Sequence, residues 1–369
     1  MSGGVDSSVA AWMLREQGYD CVGVFMRVGA HAPAEAEACP VDPSAAEQEP
    51  RRLKHGCCSA ADALDARAIA GKLGVPFYAL NFEQEFDGII DYFVDEYAHA
   101  RTPNPCVMCN IHLKFGALLR YADMMDAEFV ATGHYARIVR GDSGQACLAR
   151  SLNAPKDQSY VLFGIRREAL SRCLFPLGEI ADKAEVREIA EKLELRVHDK
   201  PDSQEICFVP NNDYRGLVRE RRPEIMRSGP VIDTSGKTIG THDGVAGYTI
   251  GQRRGLGIAA GVPIYVTRLD VLNNTVTVGS REDLLSRGLI ADRLNWLVEP
   301  PAVGERIDAE IKIRYMHTAA AGRVERTEDD AVRVEFDEPQ SAVTPGQAAV
   351  FYRKDGVVLG GGWIREAVR

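Results

Sequence analysis

The feature of this sequence that most constrains its fold is a change in hydrophobic pattern near Pro210. Before it, apolar runs such as "CVGVFMRV" (21–28) and "VPFYALNF" (75–82) alternate with segments of helical spacing such as "SSVAAWMLREQ" (7–17). Continuous apolar runs are typical of strands buried on both faces, and strands alternating with helices indicate a parallel sheet covered by helices. We therefore predict an α/β, parallel-sheet domain over residues 1–208.

After Pro210 the chain carries short alternating strands and Gly-rich turns. The segment "YVTRLDVLNNTVTVGS" (265–280) places a turn signal, Asn273-Asn274, between two alternating runs. Further alternating runs follow at "RIDAEIKIRY" (306–315), "AVRVEFDE" (331–338) and "QAAVFYR" (347–353). Repeated short strands are typical of a small antiparallel barrel or sandwich. We predict a β-rich central adaptor domain over 209–280 and a C-terminal antiparallel β-barrel over 281–369.

Composition limits the compartment and the mode of nucleic-acid binding. No apolar run approaches the roughly 20 residues of a membrane span, and we see no secretory signal. Nine cysteines without framework spacing indicate reduced thiols in the cytoplasm. The net charge of −9 means that any nucleic-acid contact must rest on local basic patches. Two patches, 215–227 and 251–257, are interpreted either as such contacts or as solvated surface arginines.

A glycine-rich string, "SGGVDSS", lies directly before the first helical pattern. Its glycines allow tight turns, and amides at a helix N-terminus attract anions with the help of the helix dipole. Ser7 and Ser8 can donate to phosphate oxygens, and Asp6 can hold Mg²⁺. The lysine of a Walker A loop is absent, which excludes that type of nucleotide site. A glycine-rich turn with a serine cap is the alternative.

The string is similar to the PP-loop of the N-type ATP pyrophosphatases, which cleave ATP between the α and β phosphates and adenylate their substrate. The resemblance implies a HUP-like fold and assigns to the nucleotide Ser2, Gly3, Gly4, Val5, Asp6, Ser7 and Ser8. A PP-loop normally follows a buried strand, whereas Met1 abuts this one. We therefore expect the sheet to lack its first strand, which would weaken ATP binding.

Further strings resemble one family of pyrophosphatases, the bacterial and mitochondrial tRNA-specific 2-thiouridylases. They fall in the order of that family and extend over nearly the whole chain. They are "GVFMR" (23–27), "GCCSAADALDARAIAGKLGVPFY" (56–78), "ARTPNPCVMCNIHLKFG" (100–116), "ATGHYAR" (131–137), "KDQSYVLF" (156–163), "KPDSQEICFVP" (200–210), "GYTIGQRRGLGI" (247–258), "IRYMH" (313–317) and "TPGQAAVFY" (344–352).

The resemblance implies a sulfur transferase that consumes ATP with Mg²⁺ and acts on tRNA with uridine at the wobble position. ATP would adenylate the C2 oxygen of that base and release pyrophosphate. A persulfide, loaded by a sulfur-relay donor protein, would then deliver sulfur to C2, and AMP would leave. An adenylated oxygen is a good leaving group, and a persulfide is a strong nucleophile near neutral pH. The target base must leave the anticodon stack to be reached.

The resemblance also assigns roles to individual positions. Cys207 matches the cysteine that receives the persulfide, and Cys109 matches the one that attacks Cys207 and closes a disulfide. Met26 and Gly133 match ATP-pocket positions. The positions that match contacts with the target base or the tRNA are Asn104, Pro105, Cys106, His134, Lys156, Asp157, Gln158, Arg314, Tyr315 and Gln347.

The pair in "TPNPCVMCN" (102–110) leaves alternatives open. Cys106 stands where many family members carry Asp, and a thiol is a weaker acid than a carboxyl. Either Cys109 and Cys207 form the disulfide while Cys106 lines the pocket, or all three hold a [4Fe–4S] cluster, or the pair is inert or structural. A zinc site is disfavoured because no fourth ligand stands at standard spacing. A thioredoxin-like pair is disfavoured because prolines precede it and no helix clearly opens at Cys106.

Two rival functions remain at this point. The chain could be a PP-loop adenylating enzyme that acts on a small molecule, although two late β-rich domains and two distant cysteines argue against this. It could also be a non-catalytic tRNA-binding or iron–sulfur protein, which the expected absence of the first strand favours. Pyrophosphate release without tRNA would support the first rival, and tRNA binding without ATP turnover would support the second.

Overall fold

The computed structural model describes residues 1–29, 60–141, 143–200, 206–209, 213–259 and 261–369. Two compact units are present. One contains Met1–Asp87 and Ala184–Asp213, and the other contains Gly88–Lys183 and Tyr214–Arg369. Within the described ranges, no helix combines the length and the apolar character needed to cross a membrane. The boundaries predicted at 208/209 and 280/281 stay predictions.

Helices and strands follow the order that the hydrophobic pattern predicts. The helices are α1 (Val5–Glu16), α2 (Ala60–Leu73), α3 (Glu83–Ala98), α4 (Pro105–Cys109), α5 (Leu118–Met124), α6 (Lys183–Lys192) and α7 (Tyr214–Arg221). The strands are β1 (Gly23–Arg27), β2 (Phe77–Asn81), β3 (Val130–Ala131), β4 (Ala136–Arg140), β5 (Ala146–Arg150), β6 (Cys173–Leu174), β7 (Gly229–Ile232), β8 (Thr238–His242), β9 (Tyr265–Asp270), β10 (Thr275–Gly279), β11 (Leu285–Trp296), β12 (Arg306–Lys312), β13 (Ala320–Glu328), β14 (Ala331–Ser341), β15 (Ala348–Tyr352) and β16 (Val358–Val368).

The first unit is built on a parallel strand pair. β1 and β2 run in parallel, in register from Gly23 opposite Phe77 to Arg27 opposite Asn81. Parallel strands need a crossover connection, and α2 precedes β2 as the helix of such a connection. α1, β1 and α2 bury apolar side chains, among them Val9, Phe25, Ala66 and Ile69. The parallel pairing confirms the α/β prediction for the N-terminal part of the chain.

The second unit contains another parallel pair of strands. Val130 of β3 lies opposite Cys173 of β6, and the antiparallel hairpin β4–β5 lies between them in sequence. Thr132 continues the ladder, because its amide donates to the carbonyl of Leu174 at 3.1 Å. The residues that follow β3 and β6 therefore lie at one carboxyl edge, where open α/β sheets bind their ligands.

The middle of the chain forms a four-stranded sheet in the order β8–β7–β10–β9. β10 pairs with β7 in parallel and with β9 in antiparallel register. The turn between β9 and β10 contains Asn274, whose φ is +47°. Asn tolerates this left-handed conformation, which is why the predicted Asn-Asn turn forms here. A small core of Val231, Val266 and Val276 fills one face.

The C-terminal strands close into a barrel in the order β11–β14–β13–β12–β15–β16. β16 returns to β11, with Trp296 opposite Gly360, so the barrel has no open edge. Leu289, Val324, Phe351 and Ile364 pack inside it. The predicted fold class is confirmed: a parallel-sheet N-terminal domain, a β-rich middle and a closed antiparallel barrel.

The barrel also packs against the helical segment that carries the two neighbouring cysteines. Val107 and Phe115 share one apolar core with Tyr352 and Trp363 of the barrel. Tyr160, fully buried in the same core, donates its hydroxyl to the carbonyl of Ala348 at 3.0 Å. Burial raises the pKa of Tyr160, which therefore stays a neutral donor. This core fixes the position of the cysteine helix on the barrel.

Gly346 and Gly356 form a matched pair for testing this attachment, because both have a φ of +88°. A methyl group on Gly356 would meet only side-chain atoms of Arg150, at 3.5 Å or more. A methyl group on Gly346 would lie 2.8 Å from both Arg101 Cβ and Thr102 N. We expect Gly356→Ala to cost about 1–2 kcal/mol from left-handed backbone strain. Gly346→Ala should cost about 1–3 kcal/mol more, from overpacking.

Urea unfolding followed by tryptophan fluorescence measures both variants. Gly356→Ala is the control, since it changes the same backbone conformation where a methyl group makes only ordinary contacts with the Arg150 side chain. Equal unfolding midpoints for the two variants would show that the contact between Gly346 and the cysteine segment contributes nothing to stability.

Candidate active site

The phosphate loop folds back over the start of α1. Gly4 is the N-cap residue in an extended conformation, and among the described residues no side chain caps the helix. The amide of Ser2 donates to Ser7 Oγ at 3.1 Å, and the two hydroxyl oxygens are 3.1 Å apart. Ser8 Oγ is buried and donates to the carbonyl of Gly4 at 2.7 Å. Uncapped amides beside the Ser2 and Ser7 hydroxyls are a donor set that fits phosphate oxygens.

Gly3 holds this loop against α2. Its φ is +70°, and a Cβ atom built on it would lie 2.3 Å from the carbonyl oxygen of Asp62. Lys200 locks the same contact: its Nζ donates to Gly3 O at 2.9 Å, to Asp62 Oδ1 at 2.5 Å and to Asp65 Oδ2 at 3.2 Å. Burial alone would lower the pKa of Lys200, but Asp62 and Asp65 raise it, so the ammonium stays charged.

Sequence analysis assigned no role to Lys200, although it opens the "KPDSQEICFVP" string. The carboxylates that hold it are more than a hundred residues away in sequence, so only the fold brings them together. Lys200 therefore links the segment preceding Cys207 to the phosphate loop. Residues 201–205, between Lys200 and the stretch containing Cys207, lie outside the described residues.

The cysteine segment is helical from Pro105, which corrects the expectation that no helix opens at Cys106. Asn104 is the N-cap residue, and its Oδ1 accepts a hydrogen bond from the amide of Val107 at 3.4 Å. Proline suits the first helical position, because the missing N–H would have no partner there and its φ is already helical. Cys106 and Cys109 therefore lie three residues apart on one helix face. The absence of a helix at this pair is thus no longer an argument against a thioredoxin-like site.

Helix α4 continues into a π-helical segment, Asn110–Ala117. Such turns are rare and often occur at functional sites. A side chain at Gly116 would lie 2.7 Å from the carbonyl of Ile111. Asn110 is buried, and its amide donates to the carbonyl of Val161 at 2.8 Å.

Cys106 and Cys207 are exposed, and Cys109 is half-buried. Cys207 belongs to the first compact unit, whereas Cys106 and Cys109 belong to the second. Phe208, next to Cys207, packs edge-to-face on Phe86 with ring centroids 5.6 Å apart. Across the described part of the chain, no group of three or more His, Cys, Asp or Glu side chains could hold a metal ion. The iron–sulfur alternative for Cys106, Cys109 and Cys207 is therefore not supported.

Gln347 of the barrel binds the cysteine segment directly. Its side-chain amide donates to the carbonyls of Thr102 at 3.1 Å and Pro103 at 3.0 Å. The amide of Thr102 in turn donates to the carbonyl of Pro345 at 2.8 Å. The sequence predicted Gln347 to contact tRNA. That contact stays a prediction. In the structure the Gln347 amide acts as a clamp that positions the segment leading to Cys106 and Cys109.

Arg314 and Tyr315 lie beside this clamp on the exposed connection after β12. Arg314 Nη1 donates to the carbonyl of Ser341 at 3.0 Å, and Tyr315 is 37% exposed. A cleft of about 410 Å³ opens here, lined by Thr102, Arg281, Arg314 and Gln347 among others. Arg281, which the sequence analysis missed, adds a second cation. Exposed Arg and Tyr side chains are suited to phosphate and base contacts.

The predicted tRNA segment 156–158 is partly committed to internal hydrogen bonds. Asp157 is buried, and its Oδ1 accepts from the amides of Ser151 and Ser159 at 3.1 and 3.2 Å. Gln158 Oε1 accepts from the amide of Tyr135 at 2.9 Å. These bonds fix the segment beside His134. The tRNA contacts of Lys156, Asp157 and Gln158 stay predictions.

His134 is buried at the carboxyl edge of β3, directly after Gly133. Its Nδ1 lies 2.7 Å from Thr132 Oγ1, and its Nε2 lies 3.3 Å from Lys114 Nζ. Burial, and secondly the charge of Lys114, hold the pKa of His134 well below its ordinary value. We assign the neutral tautomer with the proton on Nδ1, because an ammonium can only donate to Nε2. Met26, the other predicted ATP-pocket position, is half-buried in β1.

The basic patch 215–227 is only partly available to an external partner. Arg222 Nε donates to Glu224 Oε1 at 2.5 Å, and Arg227 Nε donates to the carbonyl of Glu224 at 3.0 Å. Arg215 stacks over the ring of Tyr248 at 5.0 Å. These three arginines therefore make contacts within the protein, and the nucleic-acid contact of the patch stays a prediction.

Comparison with known proteins connects these features to one family. A family model described as tRNA methyl transferase HUP domain matches residues 1–211. Models described as tRNA methyl transferase PRC-barrel domain and aminomethyltransferase beta-barrel domain match residues 218–280 and 286–364. These three ranges contain the phosphate loop, the middle sheet and most of the closed barrel.

Curated relatives match along the full length. A tRNA-specific 2-thiouridylase MnmA of Rhodopirellula baltica is 47% identical, over 100% of this chain and 96% of the relative. Proteins of the same name from Symbiobacterium thermophilum and Clostridioides difficile are 47% and 42% identical, each over 100% of this chain and over 91% and 97% of the relative. The resemblance seen in the sequence is confirmed: the chain belongs to the tRNA-specific 2-thiouridylase family.

Proposed function

We propose that this protein is an ATP-dependent tRNA 2-thiouridylase that replaces the C2 oxygen of the wobble uridine with sulfur. The observation that carries the proposal is the clamp between Gln347 and the backbone of Thr102 and Pro103. Thr102, which leads into the cysteine helix, lines one cleft with exposed Arg314 and with Gln347 of the barrel. A substrate that spans this surface can bind the barrel through its backbone and present one base to the cysteine helix, as a tRNA anticodon arm would.

The phosphate loop supports adenylation as the first step. The C2 oxygen of the uridine attacks the α-phosphorus of ATP, and pyrophosphate leaves. Uncapped amides at the start of α1, with the hydroxyls of Ser2 and Ser7, would hold the phosphates. Asp6 lies in the first turn of α1 and would hold Mg²⁺. Met26 and Gly133 complete the proposed nucleotide contacts.

Sulfur transfer would use the two assigned cysteines. A donor protein loads a terminal sulfur onto Cys207, whose exposure suits protein-to-protein transfer. That sulfur attacks C2, the C2–O bond breaks, and AMP leaves with the electron pair. The Cys109 thiolate then attacks Cys207 Sγ and breaks the S–S bond to the base. The products are a Cys109–Cys207 disulfide and 2-thiouridine, and a thiol reductant restores the cysteines.

The remaining assignments complete the proposal. Asn104, Pro105 and Cys106 would face the target base, while Lys156, Asp157, Gln158, Arg314, Tyr315 and Gln347 would contact the tRNA. Backbone contacts of this kind position a nucleic acid and weaken with salt. We place the reaction in the cytoplasm, whose reducing conditions keep the cysteines ready for persulfide loading.

Glycine substitutions at the two ends of α1 test the nucleotide site. Gly3 and Gly18 both have positive φ, +70° and +86°. A methyl group on Gly18 meets nothing within 4 Å, whereas one on Gly3 collides with Asp62. We expect Gly3→Ala to slow tRNA-dependent pyrophosphate release by about 10²-fold, the typical effect of misplacing reacting groups by 1 Å. Gly18→Ala, the control, should retain the wild-type rate. Equal rates for both variants would show that the loop is not part of the nucleotide site.

Serine substitutions test the sulfur path in a reaction with ATP, a sulfur donor and tRNA. Cys207→Ser should abolish both protein persulfide and 2-thiouridine while tRNA affinity stays unchanged, because serine cannot carry the sulfur. Cys109→Ser should keep the persulfide but give no released 2-thiouridine. Cys106→Ser should still thiolate. Mass spectrometry of the protein and of digested tRNA measures these outcomes.

Cys21→Ser is the matched control, since Cys21 is half-exposed and is not assigned to the site. Thiolation that survives Cys207→Ser would refute the assignment of the persulfide. Pyrophosphate release by the wild-type protein that needs no tRNA would instead indicate a small-molecule substrate.

A further inference from the structure

Lys114 is a half-buried cation that no carboxylate neutralises. It lies in the π-helical segment that follows the cysteine helix. Throughout the described ranges, no Asp or Glu oxygen comes within 4.0 Å of its ammonium, although many other cations of the chain are paired in this way. Its hydrogen-bond partner is Nε2 of His134, at 3.3 Å. A partly desolvated charge without a counter-charge is costly, and an anionic ligand would offset the cost.

The surroundings of His134 direct the Lys114 ammonium. The imidazole is enclosed by Phe115 and Phe175, with ring centroids 6.3 and 6.2 Å away. Its Nδ1 is engaged by Thr132 Oγ1, so Nε2 is the face turned toward Lys114. A neutral imidazole acceptor orients the ammonium without cancelling its charge. Two of the three N–H donors of Lys114 are left for a ligand.

The position in the fold is one that binds ligands. Thr132 and His134 follow β3, and Phe175 follows β6, the strand with which β3 pairs in parallel. Lys114 therefore reaches the carboxyl edge of a parallel sheet, where α/β domains place their ligands. Helix α4, which carries Cys106 and Cys109, runs directly into the segment that holds Lys114.

We propose that Lys114 is a phosphate-binding residue of the active site, held in position by the His134 imidazole. The inference rests on the proposed function and deepens it by naming the ligand class of Lys114 as a phosphate group, carried either by the nucleotide or by the tRNA backbone. When sulfur bonds to C2 and the C2–O bond breaks, the electron pair passes to a phosphate oxygen of AMP, which gains a negative charge. An ammonium bound to that phosphate would stabilise the charge and so promote departure of AMP.

Binding measurements separate this role from a structural one. We expect Lys114→Gln and Lys114→Met both to weaken AMP binding by about 10- to 100-fold, the effect of losing one charged hydrogen bond. Adenosine, which lacks the phosphate, should bind all variants equally. Gln keeps an N–H donor for His134, whereas Met does not. If Lys114 were purely structural, only Lys114→Met would therefore lose AMP affinity. Calorimetry on the full chain gives the affinities, and thermal unfolding checks that each variant folds.

Lys192→Met is the control, because Lys192 lies on the exposed face of α6 with 77% of its side chain accessible. Lys114→Arg should retain most of the AMP affinity. A tRNA backbone phosphate is the other source of the same chemistry. In that case the AMP affinity of Lys114→Gln stays unchanged. The slope of the logarithm of its tRNA affinity against the logarithm of salt concentration becomes shallower by about one unit. Either result upholds a phosphate site, and the two results identify its ligand.

AMP affinity and salt dependence that both stay at the wild-type values in Lys114→Gln would overturn the proposal. Failure of this proposal can be distinguished from failure of the proposed function, which the wild-type protein tests by making or not making 2-thiouridine. A wild-type protein that binds AMP through Lys114 but forms no 2-thiouridine would refute the proposed function and leave the phosphate site standing.

Discussion

The functional geometry of the second unit depends on the attachment of the cysteine segment to the barrel. The segment reaches α4 through Thr102 and Pro103, whose partly buried carbonyls both accept from the Gln347 amide. Each such bond contributes to stability, so the two bonds favour one position of the chain just before Asn104. Asn104 then caps α4, and the cap sets the direction in which Cys106 and Cys109 project. Together with the shared apolar core, this side chain of the barrel positions the helix that carries Cys106 and Cys109.

The same attachment joins the residues proposed to bind tRNA to those proposed for the chemistry. The side chains of Val107, Phe115, Tyr352 and Trp363 pack in one apolar core, and close-packed side chains resist sliding. Arg314 and Tyr315, two exposed residues that follow β12, are thus held at a constant distance from the cysteine helix. A long nucleic acid can contact both places at once, so a constant distance between them favours its binding. A small molecule is too short to contact both.

The phosphate loop relies on a different kind of constraint. Gly3 lies closer to the backbone of Asp62 than a residue with a Cβ atom could. Lys200 holds this contact in place with three hydrogen bonds. Lys114 has the opposite character, since its only partner in the described residues is a neutral imidazole. Lys200 is paired with two carboxylates and holds the scaffold. Lys114 has no carboxylate partner among the described residues and lies at the carboxyl edge of β3 and β6, where it can contact a ligand.

The sequence by itself determined the fold class, the Asn273-Asn274 turn and the family, because these depend on local periodicity and on contiguous strings. It misjudged the start of α4, since proline was treated as a helix breaker although it suits the first helical position. Only the tertiary structure decided the roles of Gln347, Lys200 and Lys114. Their partners lie 20 to 245 residues away in sequence, and no local pattern records which distant groups a side chain will meet after the chain has folded.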